Sequence, residues 1–202
     1  VYTATLSHEV DVTTEVSFAA MDGTATFGSD YTALPSTISP TTTGTQINVS
    51  IIPDEVVELD ETLTATLSSI SAQGRDVVFA GGQPVLPVLG TIRNDDLTRL
   101  TINDVILDEG NTGVTNFVFN VQSASAVDVP YSVDFATVLN TAGVDDLTEQ
   151  SGTLNFTGSA SESMSITVPV LGDTIVEDDE TFAIALSNFQ ASGRDVGPDS
   201  RP

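Results

Sequence analysis

One acidic phrase that occurs twice, 119 residues apart, constrains this chain more than any other feature. The first copy runs over Asp54–Ser68 and the second over Asp173–Ser187, and each places five carboxylates within its first eight residues. Apolar and polar residues then alternate, which is the period of a half-buried β-strand. Two Gly-Arg-Asp-Val sequences, at 74–77 and 193–196, keep the same spacing. An ungapped match of this length indicates two copies of one module.

The composition is strongly acidic but typical of a folded protein. The 202 residues carry a formal net charge of −24 with only five basic residues, all of them arginine. This charge repels nucleic acids and anionic lipids, so neither is expected as a partner, whereas it attracts cations. Hydrophobic residues make up 40% of the chain, which is too many for a disordered acidic tail. Two modules of about 100 residues could each bury a core.

Short alternating runs, separated by Gly, Pro, Asn and Asp, fill both modules. Val16, Phe18 and Ala20 alternate with polar or small residues, as do Phe117 and Phe119 in the second module. The many Thr and Val residues suit a pleated surface, and no amphipathic helix is evident. We therefore predict an all-β fold of two tandem sandwiches, with module 1 at residues 1–97 and module 2 at residues 98–202.

Each module is expected to lack one edge strand. Residues 1–7 align with residues 117–123, so module 1 lacks its first strand, and module 2 ends before its last one. Two explanations stay open: the chain is a fragment of a longer repeat array, or a neighbouring subunit supplies the strand and builds a filament by strand addition. Val1 is not a natural start, which favours the fragment. The sequence contains no apolar run of about 18 residues, so it predicts no membrane span in this segment.

Three phrases of the chain resemble the Calx-β module, and they occur in the order that this family has. They are Asp22-Gly23-Thr24-Ala25-Thr26 with Gly28-Ser29-Asp30-Tyr31-Thr32, then Asp54-(x)3-Glu58-x-Asp60-Glu61-Thr62, then Gly90-Thr91-Ile92-Arg93-Asn94-Asp95-Asp96. Together these phrases cover most of module 1. Module 2 matches in its acidic phrase and more loosely elsewhere.

The resemblance implies a seven-stranded sandwich of immunoglobulin-like topology that binds Ca²⁺ through loops at one end. The metal ligands are carried over by position. In module 1 the implied ligands are Asp30, Asp54, Glu58, Glu61, Asp95 and Asp96. In module 2 they are Glu109, Asp146, Asp173, Glu177 and Glu180.

Both modules depart from the family pattern at several positions. Pro53 and Gly172 stand where members that bind calcium tightly often carry a further acid, and Leu147 replaces the tyrosine of an Asp-Tyr pair. Asp145 competes with Asp146 for the ligand role, and the spacing relative to module 1 favours Asp146. The resemblance therefore implies fewer ions in module 1 than in the best binders, and weak binding in module 2.

The pattern of acids suits the chemistry of calcium. Ca²⁺ takes six to eight oxygens at roughly 2.3–2.6 Å in flexible geometry, and no single loop of this chain supplies so many. Acids from three loops could do so if the loops meet at one end of a sandwich. Without a cation, such crowding is opposed by mutual repulsion. Asp95 and Asp96 lie just before module 2, so an ion there would stiffen the joint between modules.

The acidic residues and the Gly-Arg-Asp sequences also have interpretations other than metal binding. The acidic phrases could be solvated turns, and the two Gly-Arg-Asp sequences are interpreted as structural turns with a local ion pair rather than as adhesion tripeptides. We do not expect an enzyme: cysteine, lysine and tryptophan are absent, and His8 is the single histidine. Paired carboxylates without an aromatic platform do not indicate a glycosidase, and no nucleophile–base triad is evident.

The expected function is that of a calcium-binding structural or adhesive repeat in an extracellular or cell-surface protein, stiffened by calcium. Its expected partners are neighbouring repeats or identical subunits. Two alternatives stay open: a subunit of an extracellular filament or sheath, and a calcium-sensing regulatory module of an ion exchanger. A sensor responds near micromolar calcium, whereas extracellular modules work near about 10⁻⁴–10⁻³ M.

Overall fold

The computed structural model describes residues 1–33 and 36–199, where regular structure is almost entirely β-strand. The all-β prediction is therefore confirmed, and the described helical structure is one 3-10 turn, Ala80–Gly82. The chain divides into two compact units, residues 1–54 with 60–94 and residues 55–59 with 95–202. The predicted modules differ from these units in the placement of residues 55–59 and 95–97. No helix in the described part of the chain is long and apolar enough to cross a membrane.

The described residues of the first unit form eight strands in three small sheets. The sheet orders are β4-β2-β7-β8, β1-β5 and β3-β6. Most neighbouring strands are antiparallel, and the longest strand, β7, pairs with both β2 and β8. The strands are β1 (Tyr2–Ala4), β2 (Glu15–Asp22), β3 (Tyr31–Thr32), β4 (Ser36–Ile38), β5 (Thr45–Ile47), β6 (Ser50–Ile51), β7 (Glu61–Ser71) and β8 (Leu86–Ile92).

The described residues of the second unit form seven strands in two sheets. One sheet has the order β13-β10-β9-β15 and the other the order β12-β11-β14. All pairs are antiparallel except β15 with β9, which is parallel. The strands are β9 (Thr98–Ile102), β10 (Gly113–Ser123), β11 (Tyr131–Leu139), β12 (Ser151–Phe156), β13 (Ser163–Gly172), β14 (Phe182–Gln190) and β15 (Val196–Pro198).

Burial alternates along the strands as the sequence pattern predicts. In β10, Phe117, Phe119 and Val121 are buried while the residues between them are exposed. The core of the second unit also holds a stacked ring pair, Tyr131 and Phe156, with centroids 4.9 Å apart. Because successive side chains of a strand point to opposite faces, this alternation buries one face of each sheet and leaves the other in water.

The strand register corrects the sequence alignment of the two modules. Tyr2 lies opposite Ile47 in the β1–β5 pair, and Phe119 lies opposite Ile166 in the β10–β13 pair. The two isoleucines are 119 positions apart, so Tyr2 occupies the place of Phe119. The alignment made from sequence, which puts Tyr2 on Val118, is therefore wrong by one residue. Such a slip exchanges the buried and exposed faces of a strand.

The Gly-Arg-Asp sequences are structural, but their ion pairs are not local as predicted. The Arg75 guanidinium donates to both carboxylate oxygens of Asp11, at 2.8 and 2.7 Å, and the two residues are 64 positions apart. Arg194 binds Asp128 in the same way at 2.7 and 2.6 Å. Each arginine therefore ties a turn to a distant part of its own unit, in a bidentate geometry that favours arginine over lysine.

Candidate metal centre

Three carboxylates that are distant in sequence meet in the second unit. Asp146, Glu177 and Glu180 each place a carboxylate oxygen within 4.8 Å of the other two. Asp146 lies between β11 and β12, whereas the two glutamates lie between β13 and β14. The fold therefore brings acids from two loops to one place, which is the arrangement that a cation would bind.

The turn that carries Asp146 is held by backbone hydrogen bonds and by an apolar anchor. The Gly143 N–H donates to Oδ2 of Asp146 at 2.7 Å, and the Leu171 N–H donates to the Asp146 carbonyl oxygen at 2.7 Å. The next residue, Leu147, is 2% exposed and forms an isolated bridge with Val170. Because the turn is tied to β13 on one side and to the core on the other, the position of the Asp146 carboxylate is well defined.

A threonine clamp fixes the backbone beside Glu180. The Thr181 N–H donates to Oγ1 of Thr141 at 2.8 Å, and the N–H groups of Thr141 and Ala142 both donate to the Thr181 carbonyl oxygen at 3.1 Å. These bonds join the start of β14 to the turn after β11. Glu180 is therefore presented from a restrained backbone although its side chain is exposed.

The five predicted ligands of module 2 interact electrostatically, and this interaction raises the pKa values of Glu177 and Glu180. Desolvation by neighbouring groups raises the pKa of Glu177, and the charges of Asp173, Asp146 and Glu109 raise it further. Desolvation also raises the pKa of Glu180, followed by a hydrogen bond with Asp146 and the charges of Asp146, Glu177 and Glu109. Mutual repulsion of carboxylates opposes their ionisation, and a bound cation would relieve it.

An open cavity of about 1050 Å³ is lined by four of these acids, Glu109, Asp146, Glu177 and Glu180. Two further acids line it from the loop between β9 and β10, Asp104 and Asp108. Only Glu109 of this loop is among the ligands predicted from sequence. The signal that would have found the others is the concentration of three acids in the six residues from Asp104 to Glu109. These two acids line the same cavity but belong to neither carboxylate cluster of the described residues.

Gly172 is required by close backbone packing at the edge of this centre. A Cβ atom at this position would lie 2.5 Å from the Gly110 carbonyl oxygen and 2.8 Å from that of Glu109. No side chain fits there unless the loop moves. The absence of the further acid that the family pattern suggested therefore follows from the approach of the β9–β10 loop to the end of β13.

In the first unit, Asp30 and Asp54 come together. A carboxylate oxygen of Asp30 lies within 4.8 Å of one of Asp54. Oδ2 of Asp30 also accepts the Thr26 N–H at 2.5 Å, and its carbonyl oxygen accepts the Ile52 N–H at 3.0 Å. Like Asp146, Asp30 therefore has a carboxylate oriented by its own turn.

The first unit repeats the threonine clamp. The Thr62 N–H donates to Oγ1 of Thr24 at 2.8 Å. A Cβ atom on Gly23 would lie 2.5 Å from the Thr62 carbonyl oxygen, so this clamp requires glycine. Asp60 is not among the implied ligands, and its Oδ1 accepts the Asn94 N–H at 3.1 Å.

The remaining predicted ligands are placed differently. Glu58 belongs to the segment 55–59 that joins the second unit. Its charge contributes there to the raised pKa of Arg194, after the larger effect of the hydrogen bond to Asp128. Five predicted ligands belong to neither carboxylate cluster within residues 1–33 and 36–199, and their ligand role stays a prediction: Glu61, Asp95, Asp96, Glu109 and Asp173.

The donor set fits calcium. Every candidate ligand is a carboxylate oxygen, and the chain has neither cysteine nor a histidine in the two clusters. Oxygen-only donor sets suit hard cations, and loops with flexible geometry suit Ca²⁺ better than the smaller Mg²⁺. Carboxylates from separate loops therefore form a centre whose chemistry matches calcium.

Comparison with known families agrees with this arrangement. The family model of the Calx-beta domain matches residues 2–89 and again residues 94–200. The chain therefore belongs to the Calx-beta family and contains two tandem domains of it. Calx-beta domains bind Ca²⁺, so the expected cofactor is confirmed by family membership.

Two solved structures are similar to the chain. The crystal structure of CBD12 from CALX1.2 is 22% identical, with 94% of this chain and 74% of that chain covered and a TM-score of 0.37. The crystal structure of the calcium binding domain CBD12 of CALX1.1 is 21% identical, with 90% and 70% covered and a TM-score of 0.40. No match is found among curated protein sequences.

Proposed function

We propose that the chain is a pair of calcium-stiffened structural or adhesive repeats from an extracellular or cell-surface protein. Its role is binding rather than catalysis, and its partners are neighbouring repeats or identical subunits. The observation that carries the proposal is the meeting of Asp146, Glu177 and Glu180 within 4.8 Å. The composition supports the location: the net charge is −24, lysine is absent, and the strands are rich in threonine.

Calcium would stiffen the second unit by joining loops that the strands alone leave separate. Asp146 follows β11, and Glu177 and Glu180 follow β13. A cation held by all three offsets their repulsion and restrains both loops. Because an ion that binds only the folded state stabilises that state by mass action, calcium and stability should be linked.

Thermal unfolding of the 202-residue chain with calcium and with EDTA tests this link. At a free calcium concentration about 100 times the Kd, the native state gains about 2.7 kcal/mol, so the melting temperature should rise. Identical melting in both solutions would contradict the proposal. Magnesium at the same concentration serves as a control, because it gives up its water ligands reluctantly.

Two neighbouring aspartates supply a matched pair of variants. Asp146→Asn keeps an oxygen for the Gly143 N–H but removes the charge from the cluster. Asp145→Asn removes the same charge one residue away, outside the cluster. We expect Asp146→Asn to weaken calcium binding by at least about tenfold, since a charged ligand oxygen is lost, and Asp145→Asn to leave it nearly unchanged. Equal effects would show that only the total charge matters.

The measured affinity separates the structural role from a sensing role. Titration calorimetry should give dissociation constants of about 10⁻⁴–10⁻³ M for an extracellular module, whereas a value of about 10⁻⁷–10⁻⁵ M would favour a sensor. Electron microscopy with and without chelator tests the third possibility. Filaments that persist in EDTA would favour an assembly subunit whose contacts do not depend on calcium.

A further inference from the structure

The loop between β9 and β10 brings one predicted ligand, Glu109, to the candidate metal centre of the second unit. Glu109 lines the cavity that Asp146, Glu177 and Glu180 also line, but it is not part of the cluster that these three form. It is partly buried, whereas Asp108 before it is exposed. The structure therefore keeps Glu109 close to the cluster although no strand carries it.

Electrostatic repulsion opposes this position of Glu109. Desolvation is the largest cause that raises the pKa of Glu177 and of Glu180, and the charge of Glu109 is among the further causes that raise both. Its carboxylate is therefore close enough to act on both glutamates. Because like charges repel, a freely moving loop would carry Glu109 away from the cluster. A contact elsewhere in the loop must therefore hold it.

The hydroxyl group of Thr115 supplies such a contact. Its Oγ1 donates to the Glu109 carbonyl oxygen at 2.6 Å. Thr115 lies in β10 opposite Val170 of β13, and Val170 also bridges Leu147, the anchor of the turn that carries Asp146. Thr115 therefore joins the Glu109 backbone to the same position of β13 that fixes the Asp146 turn.

Thr115 is a polar residue on the apolar face of β10. Phe117, Phe119 and Val121 are buried on the same face, because every second side chain of a strand shares a face. Valine would continue this pattern with the same branched shape and without a hydroxyl group. A polar side chain among core residues needs a hydrogen-bond partner, and Thr115 finds that partner in the loop that carries Glu109.

A second polar residue on this face, Ser123, provides an internal comparison. It lies at the other end of β10, and the rise of about 3.3 Å per residue puts it about 26 Å from Thr115. Ser123 is fully buried, and its hydroxyl group donates to the Ser125 carbonyl oxygen at 3.0 Å. The two hydroxyl groups thus make the same kind of bond at opposite ends of one strand, and only the bond of Thr115 reaches a predicted metal ligand.

We propose that Thr115 is a positioning residue of the candidate metal centre: its hydroxyl group holds the Glu109 backbone so that the Glu109 carboxylate can join the cluster when calcium binds. Thr115 itself does not touch the ion. It restrains the loop before binding, and supporting hydrogen bonds of this kind change metal affinity by about 10–100-fold. The inference rests on the proposed function, since it requires that the second unit binds calcium.

The test compares Thr115→Val with Thr115→Ser in the 202-residue chain. Valine keeps the branched shape and removes the donor, whereas serine keeps the hydroxyl group. Calcium titration is followed by NMR at the Gly143 amide, which donates to the Asp146 carboxylate and therefore reports on the second unit. We expect Thr115→Val to weaken calcium binding about tenfold and Thr115→Ser to bind nearly as the unmodified chain does. In EDTA, amide hydrogen exchange at residues 110–112 should be faster in Thr115→Val only.

Two further variants separate positioning from stability. Ser123→Ala removes the hydroxyl bond at the far end of β10, so the melting temperature should fall while the calcium affinity stays unchanged. Glu109→Gln removes the charge of the ligand that Thr115 positions. In this background, Thr115→Val should cause no further loss of calcium affinity, because two residues that act through one contact are not additive.

An unchanged calcium affinity of Thr115→Val would overturn the inference and leave the proposed function intact. The same holds if Ser123→Ala loses as much affinity, if the loss in Thr115→Val is equal with and without Glu109→Gln, or if Thr115→Ser does not restore binding. Faster exchange throughout β10, rather than in the loop alone, would mean that Thr115 serves the fold. Absence of calcium binding by the unmodified chain would overturn the proposed function as well.

Discussion

The turns that carry the two candidate aspartates are anchored by different chemistry in the two units. In the first unit, the Tyr31 hydroxyl donates to Oδ1 of Asp22 at 2.7 Å. The strand registers place Leu139 at the position of Asp22, and Leu147 stands at the position of Tyr31. The second unit therefore replaces a hydrogen-bonded pair by two leucines.

The comparison explains a departure from the family pattern. Tyr31 is fully buried, and its ring meets that of Phe27 edge to face with centroids 5.9 Å apart. Leu147 is 2% exposed, and Leu139 packs against the core that contains it. A leucine in place of the tyrosine would deprive the carboxylate of its hydroxyl donor, so the two positions change together. The turn that carries Asp146 is therefore anchored without the tyrosine of the Asp-Tyr pair.

The largest effect is expected from Leu147→Ala. Removal of a buried leucine side chain leaves a cavity, and the free energy of unfolding of the second unit should fall by about 2–5 kcal/mol. Urea unfolding monitored by hydrogen exchange in β12 and β13 measures it. The control is Val144→Ala, since Val144 is 65% exposed and should change stability by less than about 0.5 kcal/mol. Similar losses in both variants would mean that Leu147 is not the anchor.

A smaller effect is expected from Gly172→Ala. Its Cβ atom would clash with the carbonyl oxygens of Glu109 and Gly110, and the strain should lower the free energy of unfolding by about 1–3 kcal/mol. Gly143→Ala is the control, because a Cβ atom there would meet only Oδ2 of Asp146 at 3.4 Å. Calcium titration of both variants shows whether displacement of the loop also weakens binding. An unchanged melting temperature for Gly172→Ala would refute the close packing.

Tyr31→Phe removes one hydrogen bond and keeps the ring. Asp22 retains the Phe27 N–H at 2.8 Å, so we expect the free energy of unfolding of the first unit to fall by only about 0.5–1.5 kcal/mol. The double variant Asp22→Leu with Tyr31→Phe imitates the second unit. If the pair acts as the comparison suggests, the two changes will not be additive in a double-mutant cycle. Full additivity would contradict it.

The smallest effect is a dependence on alkaline pH that only the first unit's pair should show. Burial, followed by the hydrogen bond and charge of Asp22, raises the pKa of Tyr31 to about 12 from its ordinary value of 10.0. The folded state thus holds its proton more tightly than the unfolded state. The resulting stability is fully present below pH 10 and is lost as the pH rises through about 12. Unfolding midpoints between pH 9 and 12 should therefore converge for the wild type and Tyr31→Phe.

Part of the candidate site could be predicted from sequence, because equivalent residues of the two modules occupy equivalent positions in the repeat. The spacing within the module selected Asp146 rather than Asp145, and the structure places Asp146 with Glu177 and Glu180. Repetition did not identify Glu109, which came from the family resemblance. It also gave no information about Asp104 and Asp108, because their loop occurs once in the chain.

The sequence by itself determined the two modules, the all-β class and the acidic character of the loops. The modules follow from the repeat at a spacing of 119 residues, whereas the other two properties follow from local periodicity, turn residues and charge. The tertiary structure alone decided the register of β1, the distant partners of Arg75 and Arg194, and the placement of residues 55–59 in the second unit. Those features depend on which segments meet in space, and a local sequence pattern does not specify contacts between residues that are far apart in the chain.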